Sequence, residues 1–285
     1  MANTHQKVKM ERLQLTGAKA SAPLDLARPG MPALDSIHDD KTTFRPKAGG
    51  PTYRILKTTE VDAYETTPAA MALATVLRQK APNAKSIVAA ARKPTPTPAV
   101  GGDNFAGTAR KIAKLSTAKA PTENFNDMAK LVASLPSVAS MVALKIPTTS
   151  NSDRVKQEQR NIHVTAFLFA ASREADNDFH LIIGRDPNAG QEMYMTMEIS
   201  GLPPAGSPAF AALNAARTAY KSFFGAKNLP GAGYHFYQPP IPVQIDGSLF
   251  FDATHSTGQA PGPPSLKSRM PTIFEVHPVS NIRLG

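Results

Sequence analysis

"NIHVTAFLFAASREADNDFHLIIG", residues 161–184, places two apolar runs on either side of an acidic turn. In the first run Ile162, Val164, Ala166 and Leu168 alternate onto one face, and Phe167 and Phe169 make the other face apolar as well. A strand apolar on both faces is covered on both. "READND" has the composition of a tight turn, and "DFHLIIG" reads as the return strand. The chain downstream extends this meander. "EMYMTMEIS" (192–200) is a third strand, and "SPAFAALNAARTAYKSFFG" (207–225) is a helix. Ser207 is its expected N-cap, Pro208 its first residue and Gly225 its exit, with Phe210, Leu213, Tyr220 and Phe224 on the buried face. A turn-rich link, "GAGYHFYQPP", leads to "PVQIDGSLFFD" (242–252) and finally to "TIFEVHPV" (272–279).

Three strands, a helix and two strands give the order β-β-β-α-β-β, that of the OB-fold. The expected class is therefore α+β and mostly β: an OB-like five-stranded barrel over 151–285, preceded by a helical and extended N-terminal half. Residues 1–55 have few periodic apolar positions and read as an extended arm. The Ala-rich stretch 67–93 predicts short helices broken at Pro82, and "PTPTPAVGGDN" (94–104) predicts a polyproline-like spacer. These features make 1–104 a Pro-rich, basic, extended region with short helices. Residues 105–150 predict a helical segment packed on the barrel. One helix carries Phe105, Ala109, Ile112 and Leu115 as its apolar stripe. A second runs from an Asn124 cap to Pro136, with Phe125, Met128, Leu131, Val132 and Leu135 inward.

The charge is uneven. Residues 1–150 hold 21 Lys/Arg against 11 Asp/Glu, whereas 151–285 hold 11 of each. All the excess lies in the first half, where Arg110, Lys111 and Lys114, off the apolar stripe, are candidates for contact with nucleic acid or an acidic protein surface. The 285 residues include no cysteine, which excludes disulfides, thiolate metal sites and a thiol nucleophile. No signal core or membrane-length apolar run is present, and the expected compartment is cytoplasmic. No dinucleotide fingerprint, phosphate loop or nucleophile elbow occurs.

The densest chemistry is the grouping of histidines with carboxylates. Asp176, Asp178 and His180 alternate in the acidic turn, Asp252 and His255 share "FFDATH", and Glu275 and His277 lie two apart in the last strand. The two binding loops of an OB barrel would bring Asp176, Asp178, Asp252, His255, Lys267 and Arg269 to one rim. Asp178, His180, Glu275 and His277 are the candidate ligands of a divalent metal, zinc or manganese in type, since no sulfur is available. No organic cofactor is expected. The alternative is that the same residues only satisfy one another inside the barrel.

Four segments in order, "READNDFHLIIG", "TMEISG", "LFFDATHSTGQAP" and "FEVHPV", resemble a group of uncharacterised bacterial proteins. These share an acidic D-x-D-x-H-L turn, an F-F-D-x-x-H segment and a terminal E-x-H-P-V. The resemblance spans roughly 160–280 and implies a shared domain without carrying over any catalytic residue. This chain is longer around "HSTGQAPGPPSLKSRMPT". A fold-level likeness to thermonuclease-like OB domains is weaker: those pair carboxylates with arginines around calcium, and here Arg173, Arg185 and Arg269 would have to serve. Two functions follow as expectations. The first is a non-enzymatic binding or structural module whose basic half engages nucleic acid or a protein assembly. The second is a metal-dependent hydrolase of the phosphodiesterase or nuclease type, with an Asp/His/Glu site at the barrel rim.

Overall fold

A computed structural model describes residues 28–62, 102–255 and 261–285. The predicted helices at 67–93 and most of the 94–104 spacer lie outside these residues. The described chain is mostly β, with its strands joined in one mixed sheet. The strands are β1 (Ile37–Phe44), β2 (Tyr53–Thr58), β3 (Thr122–Phe125), β4 (Asn161–Arg173), β5 (Phe179–Gly184), β6 (Tyr194–Ile199), β7 (His235–Phe251) and β8 (Phe274–Leu284). Their order is β1-β2-β7-β8-β6-β5-β4-β3, and β4 also pairs with β7. That last pairing closes β4, β5, β6, β8 and β7 into a ring. Neighbours in the ring are antiparallel except β6 and β8, which run parallel and are registered at only two pairs, Thr196 with Glu275 and Met197 with Val276. The opposite closure, β4 on β7, extends from Asn161/Ser248 to Ala171/His235.

The alternation on β4 fixes the inside. Ile162, Val164, Ala166 and Leu168 are buried, whereas His163, Thr165 and Phe167 reach solvent to differing extents. After Leu168 a bulge leaves Phe169 without a register partner on β5 and turns it outward. There it packs edge-on against Tyr194, with ring centroids 5.0 Å apart. Two glycines make room. A Cβ at Gly184 would stand 2.5 Å from the Phe169 ring, and one at Gly30, where φ is +74°, would stand 2.1 Å from it.

Four sequence expectations change. The arm expected over 1–55 contains the β1–β2 hairpin, held because β2 pairs with the start of β7 from Arg54/Gln238 to Lys57/His235. The same pairing makes β7 begin at His235, so the expected link "GAGYHFYQPP" is largely strand. The helix predicted from Phe105 shrinks to α1 (Lys111–Lys114) and leaves Ile112 46% exposed. The second predicted helix starts later than Asn124, which lies in β3. It is α2 (Met128–Ala133), capped by the Asp127 carboxylate accepting from Ala129 N at 2.8 Å. A short α3 (Val138–Ala143) follows.

The long helix α4 (Phe210–Phe224) lies between β6 and β7 as expected, one turn-start later than Ser207. It buries Leu213, Ala216, Arg217, Tyr220 and Phe224 and ends at Gly225, φ +68°. A last short helix, α5 (Pro264–Lys267), precedes β8. No helix among the described residues is long and apolar enough to cross a membrane.

The expected boundary at 151 falls inside one continuous sheet, since β3 pairs in parallel with β4 from Thr122/Asn161 to Phe125/Val164. A fragment beginning at Asn151 therefore loses β1, β2, β3 and the segment that covers one side of the ring. Such a fragment is expected to lose its near-UV circular dichroism and to elute as an expanded or aggregated species. Native-like dichroism and a compact elution volume would show that the ring stands alone.

Candidate functional site

Register carries the inside–outside assignment across the ring. Leu168 faces Ile183, so Leu181 and Phe179 also point inward, and His180 points outward opposite Ser172. His180 pairs with Glu198 on β6. One step beyond the Met197/Val276 pair, Glu198 lies beside His277 on β8. Ser172, His180, Glu198 and His277 thus form a polar row across four strands on the outer surface of the ring, with Glu275 two residues from His277 on the same face. Every member of this row is nonetheless buried.

The cover comes from the N-terminal half. Phe105 N donates to Leu202 O at 2.9 Å, Ala106 N to Asp176 O at 2.9 Å, and Ser200 Oγ to Lys114 O at 3.2 Å. Gly201 permits this approach: a Cβ there would lie 2.6 Å from Phe105 Cα. Two buried arginines lock the segment. Arg110 places Nη1 2.6 Å from Glu158 Oε1 and Nη2 2.7 Å from Oε2, and its guanidinium lies over the Phe250 ring at 4.6 Å. Arg154 donates to Ala113 O at 2.6 Å, Ser116 O at 2.8 Å and His277 O at 2.7 Å. Burial pulls the Arg154 guanidinium down to about 10, so it keeps its charge at neutral pH.

Lys114 enters the row from this cover. Its Nζ is 3.5 Å from Asp176, 3.9 Å from Glu198 and 4.0 Å from Asp178. Burial opposes the ammonium, but Glu198, Asp176, Asp178 and Asp252 outweigh it and hold its pKa well above the usual value. These contacts correct the expectation for the basic residues. Arg110 and Lys114 are turned into the protein and neutralised there, and of the three only Lys111 stays on the surface.

Two groups of converging ligand atoms result. One is Asp62, Glu174 and His180; the other is Asp178, Glu198 and His277. In the first, His180 Nδ1 lies 2.8 Å from Glu174 Oε1 and 3.7 Å from Asp62 Oδ2, and Tyr234 donates its hydroxyl to Asp62 at 2.5 Å. Burial works against the His180 imidazolium, but Asp62, Glu174 and Glu198 push its pKa up to about 10. Burial and the Glu198 charge push Glu174 up to about 8. In the second, His277 Nε2 is 3.4 Å from Asp178 Oδ2, and Nδ1 is 2.7 Å from Glu198 Oε2 and 3.5 Å from Glu275 Oε2. Asp178 is anchored by Gly201 N, which donates to Oδ1 at 2.6 Å. Burial, Asp176 and Glu198 raise the Asp178 pKa well above the carboxylate range. Burial, Glu198 and Asp252 do the same for Glu275.

The sequence-nominated residues therefore divide. Asp176, Asp178, His180, Glu275 and His277 come together. Asp252 lies at the edge of the group, its carboxylate paired with His255 and capped by Thr254 N at 2.9 Å; burial opposes its charge, but His255 holds its pKa down to about 2. Arg269 lies elsewhere, on Glu192 and over the Tyr194 ring. The metal quartet Asp178, His180, Glu275 and His277 is split, since His180 groups with Asp62 and Glu174. Sequence reasoning missed Glu198, although a single carboxylate in the apolar strand "YMTMEIS" is a readable signal. Asp62 gave none, because it reaches His180 only through the β2–β7 pairing.

His180→Ala is expected to remove the proton-bearing partner of two carboxylates and to cost about 3 kcal/mol in chemical denaturation. A wild-type midpoint would remove the buried pair from the account of stability. The sign with pH follows from the raised pKa. The stabilisation is complete below about 6.5, the unfolded value, and is lost as pH rises through about 10. His180→Gln is expected to flatten that alkaline decline.

Set against models of known protein families, curated proteins and solved structures, the chain matches none.

Proposed function

We propose that this protein is a non-enzymatic binding module. Its five-stranded ring is OB-like, and its basic first half engages nucleic acid. The ring order β4-β5-β6-β8-β7, the parallel contact between its third and fifth strands, and α4 between the third and fourth all support an OB-type barrel. Fold analogy does not choose a function. The observation that carries the reading is burial. Asp178, His180, Glu275 and His277 are at most 1% exposed, and the chain's own segment around Phe105–Ala118 lies over them. A hydrolytic acid or base must come within hydrogen-bonding reach of its substrate. Here each of these groups instead touches its own chain.

Two surface cavities among the described residues have linings that include no member of the row. One is lined by Asp103, Arg217 and Lys221, the other by Pro29, Phe169 and Tyr194. Charge supplies the ligand class. The first 150 residues carry the whole net excess of positive charge, and withdrawing Arg110 and Lys114 into ion pairs still leaves a strong surplus. Dispersed lysines and arginines of this kind bind a phosphate backbone by releasing its counterions.

Anisotropy titrations of a labelled oligonucleotide with the full chain are expected to show log affinity falling linearly with log salt. The oligonucleotide should stay intact with magnesium or manganese present. Cleavage that depends on the divalent ion and disappears in Glu198→Gln would replace the binding module with a hydrolase. Affinity indifferent to salt would remove nucleic acid as the ligand.

A further inference from the structure

We propose that Asp178, Glu198 and His277 form a divalent transition-metal site, zinc or manganese in chemical class, buried between the ring and its N-terminal cover. One donor atom from each residue lies within 4.8 Å of the others. Bonds to nitrogen and oxygen of about 2.0–2.2 Å around one such ion place its ligands roughly 3–3.5 Å apart. The 3.4 Å between His277 Nε2 and Asp178 Oδ2 is already in that range.

The second observation is how these atoms are left. His277 is fully buried, and neither ring nitrogen makes a hydrogen bond. Asp178 Oδ2, Glu198 Oε2 and both oxygens of Glu275 are buried without a hydrogen-bond partner as well. Contacts such as the 2.7 Å approach of His277 Nδ1 to Glu198 are close but misdirected as hydrogen bonds. More than nine buried polar groups in ten have a partner, so six orphan atoms within one cluster call for a common one. The neighbouring group shows the contrast. His180 Nδ1 is hydrogen-bonded to Glu174 and Asp62 accepts from Tyr234, so that group leaves one atom, His180 Nε2, without a partner against six here.

Charge points the same way. Asp176, Asp178, Glu198 and Glu275 surround one ammonium, that of Lys114. A divalent ion would supply the countercharge that lets these carboxylates ionise together, with Lys114 beside it. Two carboxylates and an imidazole, with no thiolate in the chain, select zinc or manganese over copper(I) or an iron–sulfur cluster. The second layer suits a held ion: Gly201 N fixes Asp178 through its other oxygen, and Arg154 fixes the His277 backbone carbonyl. The site is independent of the nucleic-acid reading, since a buried ion can bind whether or not an oligonucleotide does.

The full chain, stripped with EDTA and dialysed, is titrated with zinc and with manganese by calorimetry. The expected result is one equivalent per chain and a higher melting temperature on loading. Glu198→Gln keeps the side-chain shape and is expected to weaken binding at least tenfold. Failure of the unmodified chain to bind one equivalent of either metal, or a Glu198→Gln chain that binds as the unmodified one does, would overturn the site. Should Glu198→Gln not fold, cobalt loading of unmodified protein with 15N-labelled imidazoles decides. A histidine shifted strongly, and assigned to His277 by its absence in His277→Gln, supports the site; seven unshifted histidines overturn it.

Discussion

The buried pair between Glu158 and Arg110 is the constraint on which the arrangement depends. Glu158 is fully buried, accepts both guanidinium nitrogens, and takes Phe251 N at 2.7 Å and Val155 N at 2.8 Å. Arg110 in turn donates to Phe251 O at 3.0 Å and Asp153 O at 2.8 Å. A pair bonded this extensively, with Arg110 Nε alone left without a partner, repays part of its desolvation, and removing either partner strands the other. It also joins three parts of the chain: the cover, the entry to β4 and the end of β7. Arg110 holds φ at +48° to make these contacts, a conformation that costs a non-glycine residue energy and persists because the surroundings over-determine it.

Once the cover is pinned, the outer face of the ring ceases to be a surface. Residues that alternation would leave in water, Glu198 and His277 among them, are enclosed with Lys114 and the acidic turn. The ring thus has an apolar interior of conventional kind and a polar layer outside it, under a second skin. Burying carboxylates there raises Asp178 and Glu275, while the neighbouring carboxylates hold Lys114 and His180 charged. The chemistry of the layer follows from who is enclosed with whom more than from any single residue type.

That division explains what could be read from the sequence. Ile162, Val164, Ala166 and Leu168 write their face into β4 by simple alternation, and the order of strands and helix is visible because each element carries its own periodicity. The grouping of Asp178, Glu275 and His277 was legible because short spacings put them on common faces. Asp62 and Lys114 were not, since each meets its partners across more than sixty residues of chain, and a lysine beside an apolar stripe looks the same whether it faces water or a carboxylate. The β1 strand "IHDDKTTF" has no apolar alternation at all, and its pairing with β2 and thence β7 is a tertiary decision.

The parallel contact between β6 and β8 is the narrowest join in the ring, and the polar row crosses it between Glu198 and His277. Elsewhere the ring is stitched by long backbone ladders; at this one place side chains must help to hold the edges together. Glu198 and His277 bridge the two strands where the backbone ladder is shortest, so the closure of the ring rests in part on side chains that lie outside it.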